Sequence, residues 1–339
     1  MENILVKFKH GLFLSLAAAM SIAAAAPACA ADKFHVGYLR VMDDAPAIVA
    51  QEGGFYQKAG LDTDLVEFKS GTDLIKAIVG GQVNIGVLGF TNAVTWASKG
   101  ADIKVVGGAQ QGYHSLVVRE DSGIETLADL KGKTLASQSE GSTADVVLKG
   151  VVFKQGHLQD GDVNVMGVSP AVSVQALVGK RVDAAFLFEP YDRIAQLVAP
   201  VKQIYQIGKS WPFPCMVVIT SGDMLAKHKD EVWKALDAQR QAIDLLQQQP
   251  DAAAKLIAHD FIAEPALKTL ARGDMPRDQV ISEAIRTQVF QPKLTGKDTA
   301  RMQELADIMQ AQGSLKTRDG KPYDVSQILD LSWQKARNL

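Results

Sequence analysis

Lys76–Leu88 reads KAIVGGQVNIGVL, and ninety-nine residues further on Gln175–Leu187 reads QALVGKRVDAAFL. Five positions coincide without a gap: Ala77/Ala176, Val79/Val178, Gly80/Gly179, Val83/Val182 and Leu88/Leu187. The same offset lays FHVGY at Phe34 over KTLAS at Lys133, and Ser70 of FKSGT over Ser169 of GVSPA. Agreement at three separate places indicates one β-α-β-α-β unit built twice, and therefore two similar lobes with a cleft between them.

The start of the chain reads differently from the rest. Lys7 and Lys9, an apolar stretch from Gly11 to Ala26 and the small residues Ala28-Cys29-Ala30 together form the pattern of a secretory signal, cleaved after Ala30. A lipid anchor on Cys29 or a retained membrane anchor are the alternatives. Ala26-Pro27-Ala28 lacks the leucine-like residue that lipid attachment favours. No later apolar run approaches the roughly 18–20 residues needed to cross a bilayer. Cleavage leaves 309 of 339 residues, a length suited to two domains. Removing Lys7, Lys9 and Glu2 from 36 basic and 38 acidic residues leaves 34 and 37, a formal charge near −3. That balance offers no basic field for nucleic acid. Cys215 is then the lone cysteine, which excludes an internal disulfide and cysteine-based metal spacing.

Strand-like and helix-like runs alternate through most of the chain, the pattern of an α/β fold with mainly parallel sheets. Strands are expected at 34–39, 62–68, 83–88, 103–109, 114–119, 133–137, 162–167, 182–187, 203–207 and 215–220. Helices are expected at 45–58, 71–80, 91–98, 141–155, 170–179 and 190–198. The strands at 103–109 and 114–119 would face each other across Gln110–Tyr113. From Ser221 onward the pattern is helical, at 222–228, 230–248, 250–261, 265–270, 278–290 and 295–312. Val232, Leu236, Ile243 and Leu246 make one apolar stripe on the second of these. LVVRE at 116–120 and MVVIT at 216–220 are expected to cross between the halves as a two-strand hinge. The first lobe then comprises 32–117 plus 220–339, with the C-terminal helices packed on it, and the second 118–219.

The run VGYLRVMDDAPAIVAQEGGFYQKAGLDTDLVEFKSGTDLIKAIVGGQVNIGVLG, with the later DLKGKTLA, VGKRVDAAFLFEPY and SGDMLAKHKDEV, resembles the nitrate/sulfonate/taurine type of periplasmic solute-binding protein. These proteins serve ATP-binding-cassette importers and share a domain with thiamine-pyrimidine synthesis proteins. The resemblance covers about 33 to 337. It implies the two-lobed, type II periplasmic-binding-protein clamp, a periplasmic monomer, a membrane permease with an ATPase subunit as partners, and a small organic anion or zwitterion as ligand.

In open α/β sheets ligands sit beyond the carboxyl ends of the strands, at the loops leading into helices. Five such loops are Val41–Pro46, Ser70–Thr72, Gly89–Asn92, Gln138–Thr143 and Phe188–Tyr191. Small, hydroxyl-bearing residues at helix starts accompany free N–H groups and a positive dipole end, a ready seat for an anion. Ser70, Thr91, Ser139 and Ser142 are singly ordinary N-caps; gathered from both halves they describe a binding cleft. Ser139, Ser142, Thr143, Thr91 and Asn92 are the expected donors to an anionic head group, with Ser70 and Gly71 beside them. Asp43, Asp44 and Glu189 fall at the same strand ends. Asp44 reads as a helix cap, and Glu189 as either a solvated, hinge-facing residue or a cleft-facing one. A carboxylate in the cleft repels a simple anion and attracts an amine, which favours a taurine-like zwitterion over nitrate or sulfate. Phe90, Tyr113, Phe188, Tyr191, Trp211 and Phe213 lie near strand ends or the hinge, Phe188 reading as core. Trp211-Pro212-Phe213-Pro214 could wall a flat ligand such as an aromatic acid or a pyrimidine, while Trp96 reads as packing.

Nothing in the sequence argues for catalysis. The six histidines lack HExxH spacing. No GxSxG turn, Walker A or GxGxxG motif occurs, so neither a cofactor nor a metal is expected and ATP hydrolysis belongs to a partner. The cysteine-rich metal motif of the pyrimidine synthases is absent. An exported enzyme on the same fold is the rival class.

Overall fold

Two sheets of the same topology grow from the duplicated segments. The computed structural model describes residues 33–317 and 320–339; the expected signal segment at 1–30, with Cys29 and the cleavage after Ala30, lies outside them. In the first sheet β1 (Phe34–Leu39) runs parallel to β2 (Thr63–Phe68) and β3 (Ile85–Gly89). Strands β4 (Lys104–Gln111) and β10 (Pro214–Thr220) complete the order β2-β1-β3-β10-β4, with β10 antiparallel to both neighbours. The second sheet uses β5 (Ser115–Arg119), β6 (Thr134–Ser137), β7 (Asn164–Gly167), β8 (Ala184–Leu187) and β9 (Val201–Gln206) in the order β7-β6-β8-β5-β9.

The repeat holds at the level of register. Val36 faces Ile85 and Gly37 faces Gly86 across β1 and β3; Leu135 faces Ala184 and Ala136 faces Ala185 across β6 and β8, each residue ninety-nine positions on. Even the entry to the sheet is copied. Asn84 Oδ1 accepts from His35 N at 2.7 Å, and Asp183 Oδ2 accepts from Thr134 N at 2.9 Å. β3 and β8 are buried along their whole lengths, as expected of strands covered on both faces. The helices between them, Gly71–Val79 and Pro170–Val178, start on the equivalent caps Ser70 and Ser169. On β1 the first of these helices packs so closely that a Cβ at Gly37 would come 2.2 Å from Leu74 Cδ1.

The expected elements are largely present, and five of them differ. β4 and β5 do not face each other: consecutive apolar runs joined by a short turn read as a hairpin, but here the joint carries the chain from one sheet to the other. The helix expected at 45–58 is two, Ala45–Glu52 and Phe55–Lys58, parted where Gly54 takes φ +67°. The helix expected at 141–155 holds a π-turn at Leu148–Val152. Residues 265–270 are not helical: β11 (Ala266–Thr269) pairs with β12 (Gly273–Pro276) in a small hairpin. Finally, 116–120 and 216–220 do not cross between sheets. β5 lies wholly in the second and β10 in the first, and the crossings are 112–114 and 207–213. They run side by side, Gly112 N donating to Phe213 O at 2.7 Å and Ile207 N to His114 O at 2.8 Å.

Helix Lys229–Gln248 buries Val232, Leu236, Ile243 and Leu246 against the first sheet's helices, and Gln239 donates to Tyr56 Oη at 2.9 Å. Helix Gly296–Ala311 departs from expectation, because it packs on both lobes. Its Met302, Leu305, Ala306 and Met309 share one core with Val94 of the first lobe and Leu148 and Val152 of the second. Gln312 Nε2 donates to Val146 O at 3.1 Å, and a Cβ on Gly150 would meet Ile308 Cγ2 at 2.3 Å. An apolar stripe records that a helix is packed, not against what.

Candidate functional site

A cavity of about 860 Å³ opens between the carboxyl ends of the parallel strands of both sheets. From the sequence-derived set it is lined by Asp43, Ser70, Asn92, Ser139, Ser142 and Thr143; Phe188, expected as core, lines it too. Four helices start at this cavity, and three are capped by a serine hydroxyl. Ser70 accepts from Asp73 N at 3.2 Å, Ser142 from Asp145 N at 3.2 Å and Ser169 from Val172 N at 3.5 Å. The fourth, Phe90–Ala97, follows β3 directly through Gly89 and has no side-chain cap. Its first N–H groups and its positive dipole end are thus open to an anionic partner. Thr143 comes to Gly89 from the other lobe; a Cβ there would lie 2.9 Å from its Oγ1.

Not every expected residue faces the cavity. Thr91 is buried, and its Oγ1 meets Thr143 Oγ1 at 2.7 Å, a direct bond between lobes. Phe90 is wholly in the core. Gly71 supports Asn92, since a Cβ on it would sit 2.9 Å from Asn92 Cγ. Asp44 does not cap the following helix. Its Oδ2 instead accepts from Leu39 N at 2.8 Å, closing the turn after β1, and burial holds its carboxyl well above the usual range.

Tyr113, on the first crossing, donates from its hydroxyl to Asp192, and burial raises its pKa. It lines a separate cavity of about 530 Å³ formed by the crossings and the segment 287–301. Trp211 lies away from the main cavity, its Nε1 donating to Glu304 Oε1 at 3.1 Å under the Arg301 guanidinium at 4.3 Å. Glu189 is also displaced from the expected place. Fully buried, it accepts from Thr287 Oγ1 at 2.8 Å and from Arg193 N at 3.1 Å. Burial first, and the Asp192 charge second, push its pKa to about 8. It is thus a structural contact between the helix after β8 and helix Arg277–Thr287, not a cavity carboxylate.

The buried acid that lines the cavity is Asp43, 2% exposed, with Oδ1 lacking any partner and its pKa raised by burial to about 7. Sequence reasoning missed several of its companions. His114, at the first crossing, lines the cavity, stacks on Phe186 at 5.3 Å and leaves Nδ1 unpartnered; burial lowers its pKa to about 4. Trp96 is a wall rather than simple packing, its ring faced by Lys99 at 5.5 Å. Cys215, Met216 and Met309 complete the apolar side. The only available signal for these was adjacency to a strand end or a crossing, which many residues share. Among the described residues no cluster of His, Cys, Asp and Glu could hold a metal, and no helix is long and apolar enough to cross a membrane.

Comparison with known proteins agrees with this geometry. The family model described as "NMT1/THI5 like" matches residues 42–253. A Brucella abortus (strain 2308) protein described as a binding protein is 25% identical over 324 residues, covering 93% of this chain and 97% of that one. The taurine-binding periplasmic protein of Escherichia coli K12 is 25% identical over 285 residues, covering 80% and 84%. Among solved structures, the periplasmic aliphatic sulphonate binding protein SsuA of Escherichia coli superposes with a TM-score of 0.72 at 20% identity, covering 87% and 91%. These relatives are binding proteins rather than enzymes, and the solved one has the two-lobed fold.

Proposed function

The chain belongs to the NMT1/THI5-like family, and from that premise we propose that it is the periplasmic solute-binding component of an ATP-binding-cassette importer. Its ligand is a small organic anion or zwitterion of the taurine or alkanesulfonate type, held between the lobes and handed to a permease that works with an ATPase subunit. The observation that carries this reading is the uncapped start of helix Phe90–Ala97, open to a cavity whose other side is edged by Ser139, Ser142 and Thr143. An oxyanion there gains N–H donors and the dipole end of one lobe and hydroxyl donors of the other. Contacts to both lobes favour the closed arrangement, so binding and closure are one equilibrium. The pivots are the adjoining crossings at 112–114 and 207–213.

The named relatives support the head group: one is described as binding taurine and another aliphatic sulphonates. A second reading, an aromatic carboxylate, draws on the flat walls Trp96 and Phe188. Calorimetry on the mature protein with alkanesulfonates, taurine, aromatic acids, pyrimidines and nitrate separates the two. Binding of at least one sulfonate, taurine included, at micromolar concentration is expected. Saturable binding of aromatic acids alone would replace the first reading with the second, and catalytic turnover of any of these compounds would remove both.

A further inference from the structure

Two buried polar atoms in the cavity lining have nothing to bond to, Asp43 Oδ1 and His114 Nδ1. They come from different parts of the chain, Asp43 from the turn after β1 and His114 from the first crossing between sheets. Both residues are nearly inaccessible, at 2% and 3% exposure. A buried acceptor without a donor costs about 1–3 kcal/mol, and more if charged. Native proteins seldom leave such a pair idle inside a cavity.

The groups around Asp43 do not neutralise it. Asp44 beside it is committed to Leu39 N. Cys215 on β10 is buried, its thiol pushed up by burial and then by the two aspartates, so it brings no charge. His114 stays neutral at ordinary pH because of its burial. Two lysines and a glutamate also line the cavity. Lys69 is 89% exposed and pairs with Glu67 at 3.0 Å; Lys99 lies over Trp96; Glu140 is exposed. Asp43 makes no ion pair among the described residues.

We propose that Asp43 and His114 form a second recognition pole, which takes a hydrogen-bond-donating group, foremost a primary ammonium, at the end of the ligand remote from its anionic head. The cognate solute is then an amine-bearing anion, and plain alkanesulfonates are poor ligands. This assignment rests on the reading of the cavity as the solute site, and it replaces Glu189 with Asp43 as the carboxylate that sets specificity. An ammonium supplies at once the missing donor and the missing positive charge. His114 Nδ1, the unprotonated nitrogen in one tautomer, accepts a second N–H.

Ammonium binding favours the ionised carboxyl, so the two equilibria are linked. Burial raises the Asp43 pKa to about 7. Below that pH it must give up its proton to bind an ammonium, so affinity for amine-bearing ligands rises with pH from 5.5 to about 8. A sulfonate with no amine shows no such rise.

The test compares taurine with ethanesulfonate, and β-alanine with propionate, by isothermal calorimetry in two buffers of different ionisation heat at pH 6.5. Expected are tenfold or greater preference for the amine-bearing member of a pair and proton release on its binding, of the order of half a proton or more. Asp43→Asn should abolish both the preference and the proton release. His114→Gln should weaken amine binding and leave the proton release in place. Should Asp43→Asn fail to fold, the wild-type pH series with taurine and ethanesulfonate decides the same question. Equal affinity within both pairs, or undiminished preference in Asp43→Asn, overturns the assignment. Binding confined to the carboxylate pair overturns the sulfonate head group alone, because amine preference is still read from β-alanine against propionate.

Discussion

Replacing Glu189 by glutamine should stabilise the protein in alkali and leave it unchanged in acid. The carboxyl sits with no accessible surface between the two lobes' helices, and burial moves its pKa from 4.5 to about 8. A folded value above the ordinary one means that the folded chain keeps the proton to higher pH than the unfolded chain. Stability therefore falls as pH rises from 4.5 to about 8, is level below 4.5, and carries the full penalty above 8. At about 1.4 kcal/mol per pH unit the ceiling is roughly 5 kcal/mol. Relaxation and water entry around a buried charge should leave about 1–3 kcal/mol of it. Glutamine keeps the shape and both bonds. Its oxygen accepts from Arg193 N, and its amide donates to Thr287 Oγ1, whose proton then turns to Ala284 O, 2.8 Å away. Differential scanning fluorimetry at pH 8.5 should show a Tm about 2–6 °C above wild type, shrinking to about zero at pH 4.5. A gain of the same size at both pH values, or a loss at pH 8.5, would refute the reasoning. A loss would mean that Glu189 is ionised and compensated in the native protein; an equal gain would mean that its ionisation plays no part.

Three further outcomes follow from particular contacts. Thr143→Val removes the 2.7 Å bond to Thr91 across the lobes and one cavity hydroxyl, and should weaken sulfonate affinity about tenfold while lowering unfolding free energy by only about 1 kcal/mol. Gly150→Val forces a side chain into Ile308 and Gln312, an overpacking that should cost about 1–3 kcal/mol in denaturant titration; an unchanged midpoint would show that the two helices part freely. Cys215 is buried, carries a thiol raised by burial and lines the cavity, so iodoacetamide should label it slowly at pH 7.5 and more slowly still with bound ligand; ligand-independent labelling would place its exposure in global unfolding.

The repeat at Lys76 and Gln175 carried the fold well, because strand pairing obeys a strict period and a buried parallel strand has a recognisable composition. The equivalences Asn84/Asp183 and Ser70/Ser169 were local and could be read by alignment of the two halves. Crossings were harder. Gly112, which a Cβ would drive to 2.1 Å from Phe213 Cε1, looks in sequence like a hairpin glycine. Residues 265–270 carry too few side chains for a helix period to be distinguished from a short strand. In the site, hydroxyls at helix starts were legible because capping is a local rule, and so were the candidates Ser139, Ser142 and Thr143. The roles of Glu189 and Asp43 were not. Both follow strand ends in acidic or apolar context, and only the bond from Thr287 to one and the lack of any partner for Oδ1 of the other tell a structural carboxylate from an unpartnered one.

Helix Gly296–Ala311 and its neighbours also limit how the lobes can separate. Two adjoining crossings on their own allow swing and twist. Contacts from Ile308 and Gln312 to the second lobe add a third attachment beside them. A door hung on two pins and held by a stay opens through a short arc on the side away from the stay. The segment Ser139–Thr143 lies on the stay's own side, with Gln312 bonded to Val146 and Thr143 to Thr91, so it should move least as the mouth opens. Cutting the stay by truncation before Gly296 would trade that guided opening for a looser one, seen as faster release of ligand.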